Sequence, residues 1–284
     1  MKKLVIGYLY NGRGLGEDEI LFKKVAKKKK IDSILINTSL GYTDDKLKEE
    51  IKKCDIIYNS SGDDFVIETE KTIEELGKKI IENSKSFYYV EDKWMFYLKC
   101  KKHKIKTPKT ILLAQDITYA KKDLNDFNQW PVIIKKVNGC MGEYVEKADN
   151  IKEADKIIKK LWKEDNNRDP LIAQEFIISS SYRVTLIGGK IVQTAIKENI
   201  GWKKTGVYAK KNKKFPIDNK IKKIINKLNK FIGIQICGVD FLKKDGEWFA
   251  LEVNSAPGLD FFESEREKMI EKLIELLAKL AKKN

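Results

Sequence analysis

The sequence predicts an α/β fold class that opens on a parallel sheet, and three observations carry that reading. Short apolar runs alternate with helical stretches through about residue 90. From about Glu91 the order changes to strand–loop–strand and hairpin patterns separated by helices. No apolar stretch approaches the roughly 20 residues needed to cross a bilayer. A chain of 284 residues is then long enough to bury two domains or three small subdomains.

In the first part, LVIGYLY reads as a strand and ILFKKVAKKKK as a helix. DSILIN is a second strand and KLKEEIKKC a second helix, followed by the strand DIIYNSS, the helix TEKTIEELGKKI and a short IIEN segment. Such alternation predicts an open parallel sheet with flanking helices. The opening MKKLVIGYLYNGRG starts like a signal peptide, but its apolar segment is too short and fits a first strand. A cytoplasmic protein is expected. GRGLGE has its third glycine at the wrong spacing for a dinucleotide-binding turn.

Beyond Glu91, the helix DKWMFYLKCKKH leads through TPKTILLA and a short helix to the strand PVIIKK, the loop NGCMGE and the strand YVEKA. The helix IKEADKIIKKLW and the strand LIAQEFI follow. RVTLIGGKIVQTAI reads as a hairpin about Gly188 and Gly189, and the helix DNKIKKIINKLNKFIG precedes the strands ICGVDFL and WFALEVN, joined by KKDGE. The last helix, near Ser264 to Lys282, spaces Met269, Ile270, Leu273, Leu276, Leu277 and Leu280 as a packing stripe.

The net charge is +15, from 57 Lys and Arg against 42 Asp and Glu. The lysines are spread over helices as doublets beside glutamates, with no basic motif interleaved with aromatics. The charge reads as solvated faces whose field favours acidic partners; neither nucleic acid nor membrane is expected. Cys54, Cys100, Cys140 and Cys237 are far apart and form no CxxC pair, which argues against a zinc site or a disulfide framework. Ser–His or Cys–His catalysis has one candidate base, His103, and that residue sits in a basic surface run.

Chemistry concentrates in three places. Alternation along WFALEVN puts Glu252 and Asn254 on one face, and a turn at Asp245 or Gly246 brings Asp240 opposite or diagonal to Glu252. Carboxylates among apolar residues are costly unless paired or bound to a cation. An oxygen-only set suits magnesium shared with substrate phosphates, and salt bridges to nearby lysines are the alternative. In PVIIKKVNGCMGEYV, Lys135 ends a strand at the mouth of a loop with Gly139 and Gly142, where backbone N–H groups can approach phosphate oxygens. In AQEFI, Glu175 interrupts an apolar strand and reads either as a nucleotide contact or as a solvent-facing strand end.

The ordered set of Lys93 in EDKW, Lys135 in VIIKKVNGCMG, Glu175 in AQEFI, Arg183 in SYRVTLIGGKIV, Asp240 in CGVD and Glu252 with Asn254 in LEVNSAPG resembles the ATP-grasp superfamily. Within it the chain is most similar to the RimK-type carboxylate–amine ligases, from roughly Ile73 to Phe262. The resemblance implies an N-terminal domain over 1–90, a central ATP-grasp subdomain over 91–174 and a C-terminal α+β subdomain over 175–284. It implies ATP clasped between the last two, with Lys93 and Lys135 on phosphates and Lys135 nearer the adenine side. The loop from Asn138 to Gly142 would close over the triphosphate, and Glu175 with the backbone of Phe176 and Ile177 would hold adenine. Asp240, Glu252 and Asn254 would bind magnesium or manganese. The implied reaction phosphorylates a carboxylate and lets an amine displace phosphate. Its partners are ATP, an amino acid such as glutamate, and an acceptor that is a small molecule, a peptide or an acidic carrier protein. A homo-oligomer would be in keeping with the family.

Three departures bear on activity. Tyr144 stands where the family has a further glycine, and Ser181 takes a place often held by a ribose-binding aspartate. AIKENIGWKKTGVYAKK lacks the family's arginines, so that Lys197 and Lys204 join Arg183 as the candidate catalytic cations, and Gly206 takes the place of an asparagine. Lysine offers a point charge where arginine binds bidentately. Cys140 reads as a packing residue of the loop, and Trp202 as a substrate wall or loop anchor. The rival expectation is a non-catalytic nucleotide-binding or scaffolding module.

Overall fold

The computed structural model describes residues 3–139, 142–164, 169–198, 201–203 and 211–282. Strands β1 (Val5–Tyr10), β2 (Asp32–Asn37), β3 (Ile56–Asn59) and β4 (Ile80–Ile81) form a parallel sheet in the order β2-β1-β3-β4. Helices α1 (Glu17–Lys28), α2 (Asp44–Ile51) and α3 (Asp64–Glu75) connect them. The expected helix in TEKTIEELGKKI begins earlier, because Asp63 caps α3 by accepting the Phe65 N–H, and it ends at Glu75 before Gly77 at φ 75°.

After the short α4 (Ser84–Phe87), helix α5 (Lys93–Lys102) is capped by Asp92. A second, antiparallel sheet follows: β5 (Thr110–Leu112), β6 (Val132–Lys136), β7 (Val145–Ala148) and β8 (Leu171–Glu175), in the order β5-β8-β6-β7. Helices α6 (Ile117–Phe127) and α7 (Ile151–Glu164) cover one face. Their apolar stripes meet Val132, Ile134 and Ala173 in a core drawn from this unit alone. β8 stops at Glu175, so Phe176 and Ile177 lie beyond the strand that LIAQEFI suggested.

The third sheet comprises β9 (Ser181–Ile187), β10 (Lys190–Glu198), β11 (Lys211–Lys213), β12 (Ile236–Lys244) and β13 (Glu247–Asn254), in the order β11-β10-β9-β12-β13. The hairpin β9–β10 turns at Gly188 and Gly189, at φ 63° and 69°. Helix α8 (Asn219–Ile232) packs Ile221, Ile225, Leu228 and Ile232 against β9, β12 and β13. Helix α9 (Glu263–Ala281) crosses back to the first sheet, where its predicted stripe meets α1, Ile6, Tyr8 and Ile56 together with Ile187 and Ile236. Among the described residues, no helix is long and apolar enough to cross a membrane.

Candidate active site

The β12–β13 hairpin sets the geometry. Asp245 and Gly246, at φ 51° and 72°, form a two-residue turn of the kind that matches strand twist. The ladder runs regularly from Lys244↔Glu247 to Phe241↔Ala250. Continued, it would set Asp240 against Leu251. A bulge instead inserts Leu251 as an extra residue, so that Asp240 pairs with Glu252 and Gly238 with Asn254. The bulge also switches which side chains are buried: Trp248 and Ala250 before it, Val253 after it. Glu252 and Asn254 are thereby left facing a cavity of about 550 Å³.

Opposite Asp240 on its other side stands Arg183 of β9. Its Nε and Nη2 donate to the two Asp240 oxygens at 2.7 and 2.8 Å. Lys197 of β10 adds Nζ at 3.0 Å from Oδ1 and 3.1 Å from Oδ2. Asp240 is wholly buried, which alone would raise its pKa, but Arg183 and then Lys197 hold the carboxyl well below its usual range. Burial pulls Lys197 below the ordinary lysine value, and Asp240 opposes that shift. Gly238 makes the arrangement possible, since a Cβ there would lie 2.1 Å from Arg183 Nη1 and 2.9 Å from its Cδ and Cζ.

The second sheet supplies the facing wall. Lys135, 4% exposed, donates to Gln174 Oε1 at 3.0 Å. Burial lowers its pKa to about 8, with Glu252 pulling upward and Lys93 downward. Lys93, in the first turn of α5, donates Nζ to the Gly139 carbonyl at 2.5 Å, fastening that helix to the glycine loop. Gly139 and Gly142 sit at φ 133° and 76°, backbone that other residues rarely adopt. Tyr144 also has positive φ, 53°, and its ring lies 3.8 Å from Lys136 Nζ.

Of the site residues named from the sequence, Lys93, Lys135, Gly139, Gly142, Glu175, Phe176, Ile177, Ser181, Arg183, Lys197, Asp240, Glu252 and Asn254 line this one cavity, whereas Asn138 and Tyr144 of the glycine loop do not. Lys204, Gly206 and Cys140 lie outside the described residues. Glu175 is not a bare strand end. It accepts from the Lys109 N–H at 3.1 Å and from Lys244 Nζ at 3.3 Å. The Phe176 N–H is committed to the Pro131 carbonyl at 3.3 Å. Ser181 Oγ is buried with no hydrogen-bond partner among the described residues, while Trp202 meets Phe176 edge-on at 6.3 Å.

A divalent cation fits these residues through its hard-oxygen preference. Glu252 has no hydrogen-bond or ion-pair partner among the described residues, and Asn254 makes one long contact through Nδ2, 3.4 Å to the Gly238 carbonyl. Asp240 differs from the expectation of an open ligand, because Arg183 and Lys197 already cover both of its oxygens. Among the described residues no cluster of three His, Cys, Asp or Glu side chains could hold a metal, so the set depends on the Asn254 amide.

The residues the sequence did not point to are Asn212, Gln174 and Glu91. Asn212 lies across the ladder from Lys197 and lines the cavity, with a buried Oδ1 that has no partner among the described residues. Its run KKNKK carries no apolar periodicity to mark a strand. Glu91 accepts the Ser255 hydroxyl at 2.6 Å, and burial raises its pKa.

Comparison with known proteins agrees with this geometry. The RimK-like ATP-grasp domain family matches residues 90–280. The chain belongs to that family. It is 27% identical over 220 residues to the coenzyme gamma-F420-2:alpha-L-glutamate ligase of Methanococcus maripaludis, covering 75% of each chain. To the ligase of the same name from Methanocaldococcus jannaschii it is 26% identical over 276 residues, covering 83% of this chain and 93% of the relative. The D-alanine–D-alanine ligase of Bacillus anthracis complexed with ATP shares the fold, at TM-score 0.74 and 17% identity over 98% of this chain and 97% of that one. The expected ATP-grasp ligase family and α/β architecture are thus borne out, and ATP-grasp ligases use ATP.

Proposed function

We propose that this chain is an ATP- and magnesium-dependent carboxylate–amine ligase working through an acyl phosphate. It adds an amino acid such as glutamate to a carboxylate on a small molecule, a peptide or an acidic carrier protein. The observation that carries the proposal is the convergence, in one cavity, of Lys93 and Lys135 with the Arg183–Asp240–Lys197 cluster and the Glu252–Asn254 pair. In this reading residues 1–90, 91–174 and 175–284 are the N-terminal domain and the two subdomains that clasp ATP.

Lys93 and Lys135 neutralise phosphate oxygens, and the loop around Gly139 and Gly142 brings backbone N–H groups over them. Glu175, with the backbone about Phe176 and Ile177, borders the base, and Ser181 offers its unpartnered hydroxyl. Glu252 and Asn254, with Asp240 beside them, would hold a magnesium ion, which would supply neutralisation of phosphate charge. Arg183 and Lys197, with Lys204, balance the charge that develops as the γ-phosphoryl group moves to the substrate carboxylate. The amine then attacks the acyl carbon and phosphate leaves. No side-chain nucleophile is required.

The test is ADP release from protein, ATP and magnesium with a panel of amino acids and carboxylate acceptors. Absence of nucleotide binding even at millimolar ATP would rule the proposal out.

A further inference from the structure

Four lysine or arginine side chains are buried among the described residues, and three of them face carboxylates. Arg183 and Lys197 share Asp240, and Lys136 lies 3.3 Å from Asp169. Lys135 is different. Its ammonium donates to the neutral amide of Gln174, and among the described residues no carboxylate lies within ion-pair distance of it. Burying a charge in this way is costly unless a partner arrives later.

The amide is held in one orientation. Thr110 Oγ1 donates to the Pro108 carbonyl at 3.0 Å, which can only accept. The Thr110 oxygen must therefore accept from Gln174 Nε2, at 2.8 Å, and this turns Gln174 Oε1 toward Lys135. The network crosses three strands: Thr110 is the direct ladder partner of Gln174, and Lys135 is its diagonal neighbour, opposite Ile172. Thr110, Gln174 and Lys135 are all buried, so the amide is locked rather than sampled.

We infer that Gln174 is a positioning residue that fixes the Lys135 ammonium at the cavity wall while leaving its charge uncompensated for the phosphates of a nucleotide. A carboxylate of the same shape would hold the lysine equally well and cancel the charge. The inference rests on the nucleotide-binding reading of the cavity and deepens it. Glu252 and Lys93 are the other charged groups acting on Lys135, and they oppose one another.

The test is isothermal titration of a non-hydrolysable ATP analogue with magnesium into the full chain, at about pH 8.5, in buffers of different ionisation enthalpy. Burial holds Lys135 near 8 in the free protein, so phosphate binding should draw a proton onto it, and the wild type should show proton uptake. Gln174→Glu should bind the analogue roughly ten- to a hundredfold more weakly and lose that uptake, yet unfold at no lower temperature. Gln174→Met, which removes the acceptor without adding charge, should bind about three- to tenfold more weakly, keep the proton uptake and melt lower. Equal binding by wild type and Gln174→Glu overturns the inference, as does an equal loss in both variants. Should Gln174→Glu fail to fold, absence of proton uptake in the wild type, or unchanged wild-type affinity in Gln174→Met, overturns it. A wild-type chain that binds no nucleotide removes the proposed function itself, which is a separate result.

Discussion

Replacing Gly238 with alanine should dismantle the charge cluster without touching a charged residue. The added methyl would sit 2.1 Å from Arg183 Nη1 and 2.9 Å from Cδ and Cζ, closer than any real contact allows. Arginine tips often yield cheaply, but this one is 6% exposed and fixed by two bonds to Asp240. The guanidinium must withdraw, leaving Asp240 to Lys197 alone. Breaking a buried pair costs about 3–5 kcal/mol, and retention of Lys197 argues for the lower end, about 3 kcal/mol. For a chain of this size that corresponds to a fall in melting temperature of roughly 5 °C. Thermal unfolding of Gly238→Ala, Arg183→Ala and the double variant measures it. In the Arg183→Ala background the methyl loses its three nearest neighbours, all atoms of Arg183, and should cost less than about 1 kcal/mol. An equal cost in both backgrounds would refute the reasoning.

Other substitutions separate charge balance from chemistry. Asp240→Asn should lower stability by about 3 kcal/mol or more, because Arg183 and Lys197 stay buried without a counter-charge. Glu252→Gln, which breaks no hydrogen bond or ion pair among the described residues, should abolish ADP release while shifting the melting curve little. Glu70 is wholly buried, with Asn59 on one oxygen and no partner among the described residues on the other, and burial raises its pKa to about 8. Its folded pKa is above the unfolded one, so the native state binds more protons between about pH 4.5 and 8. Wild-type stability should therefore fall across that window by up to about 1.4 kcal/mol per pH unit, and melting curves of Glu70→Gln from pH 5 to 8 should show a shallower slope. An unchanged slope would exclude Glu70 as the source.

The sequence made the hairpin and its contents legible because alternation and the Asp245–Gly246 turn are local signals. Asp240 was expected opposite or diagonal to Glu252, and the direct pairing depends on Leu251 being extruded, which no residue type announces. The Arg183–Asp240 bond was not foreseen as such. It depends on how β9 registers against β12, and charge alone does not specify register across that distance in sequence. β11 escaped notice because lysines flank its one informative residue, Asn212. Glu175 stood out in the sequence as a charge in an apolar run, but its ion pair comes from Lys244 on another sheet, beyond the reach of any local pattern.

The second sheet and its two helices have a consequence for motion. Their core contains no buried side chain from the rest of the described residues, whereas α9 welds the first sheet to β9 and β12 through Ile187 and Ile236. The first and third sheets are joined by that packing, while the unit carrying Lys135 and Gln174 keeps a core of its own. A change of angle between the two would alter the width of the cavity mouth while each kept its own packing.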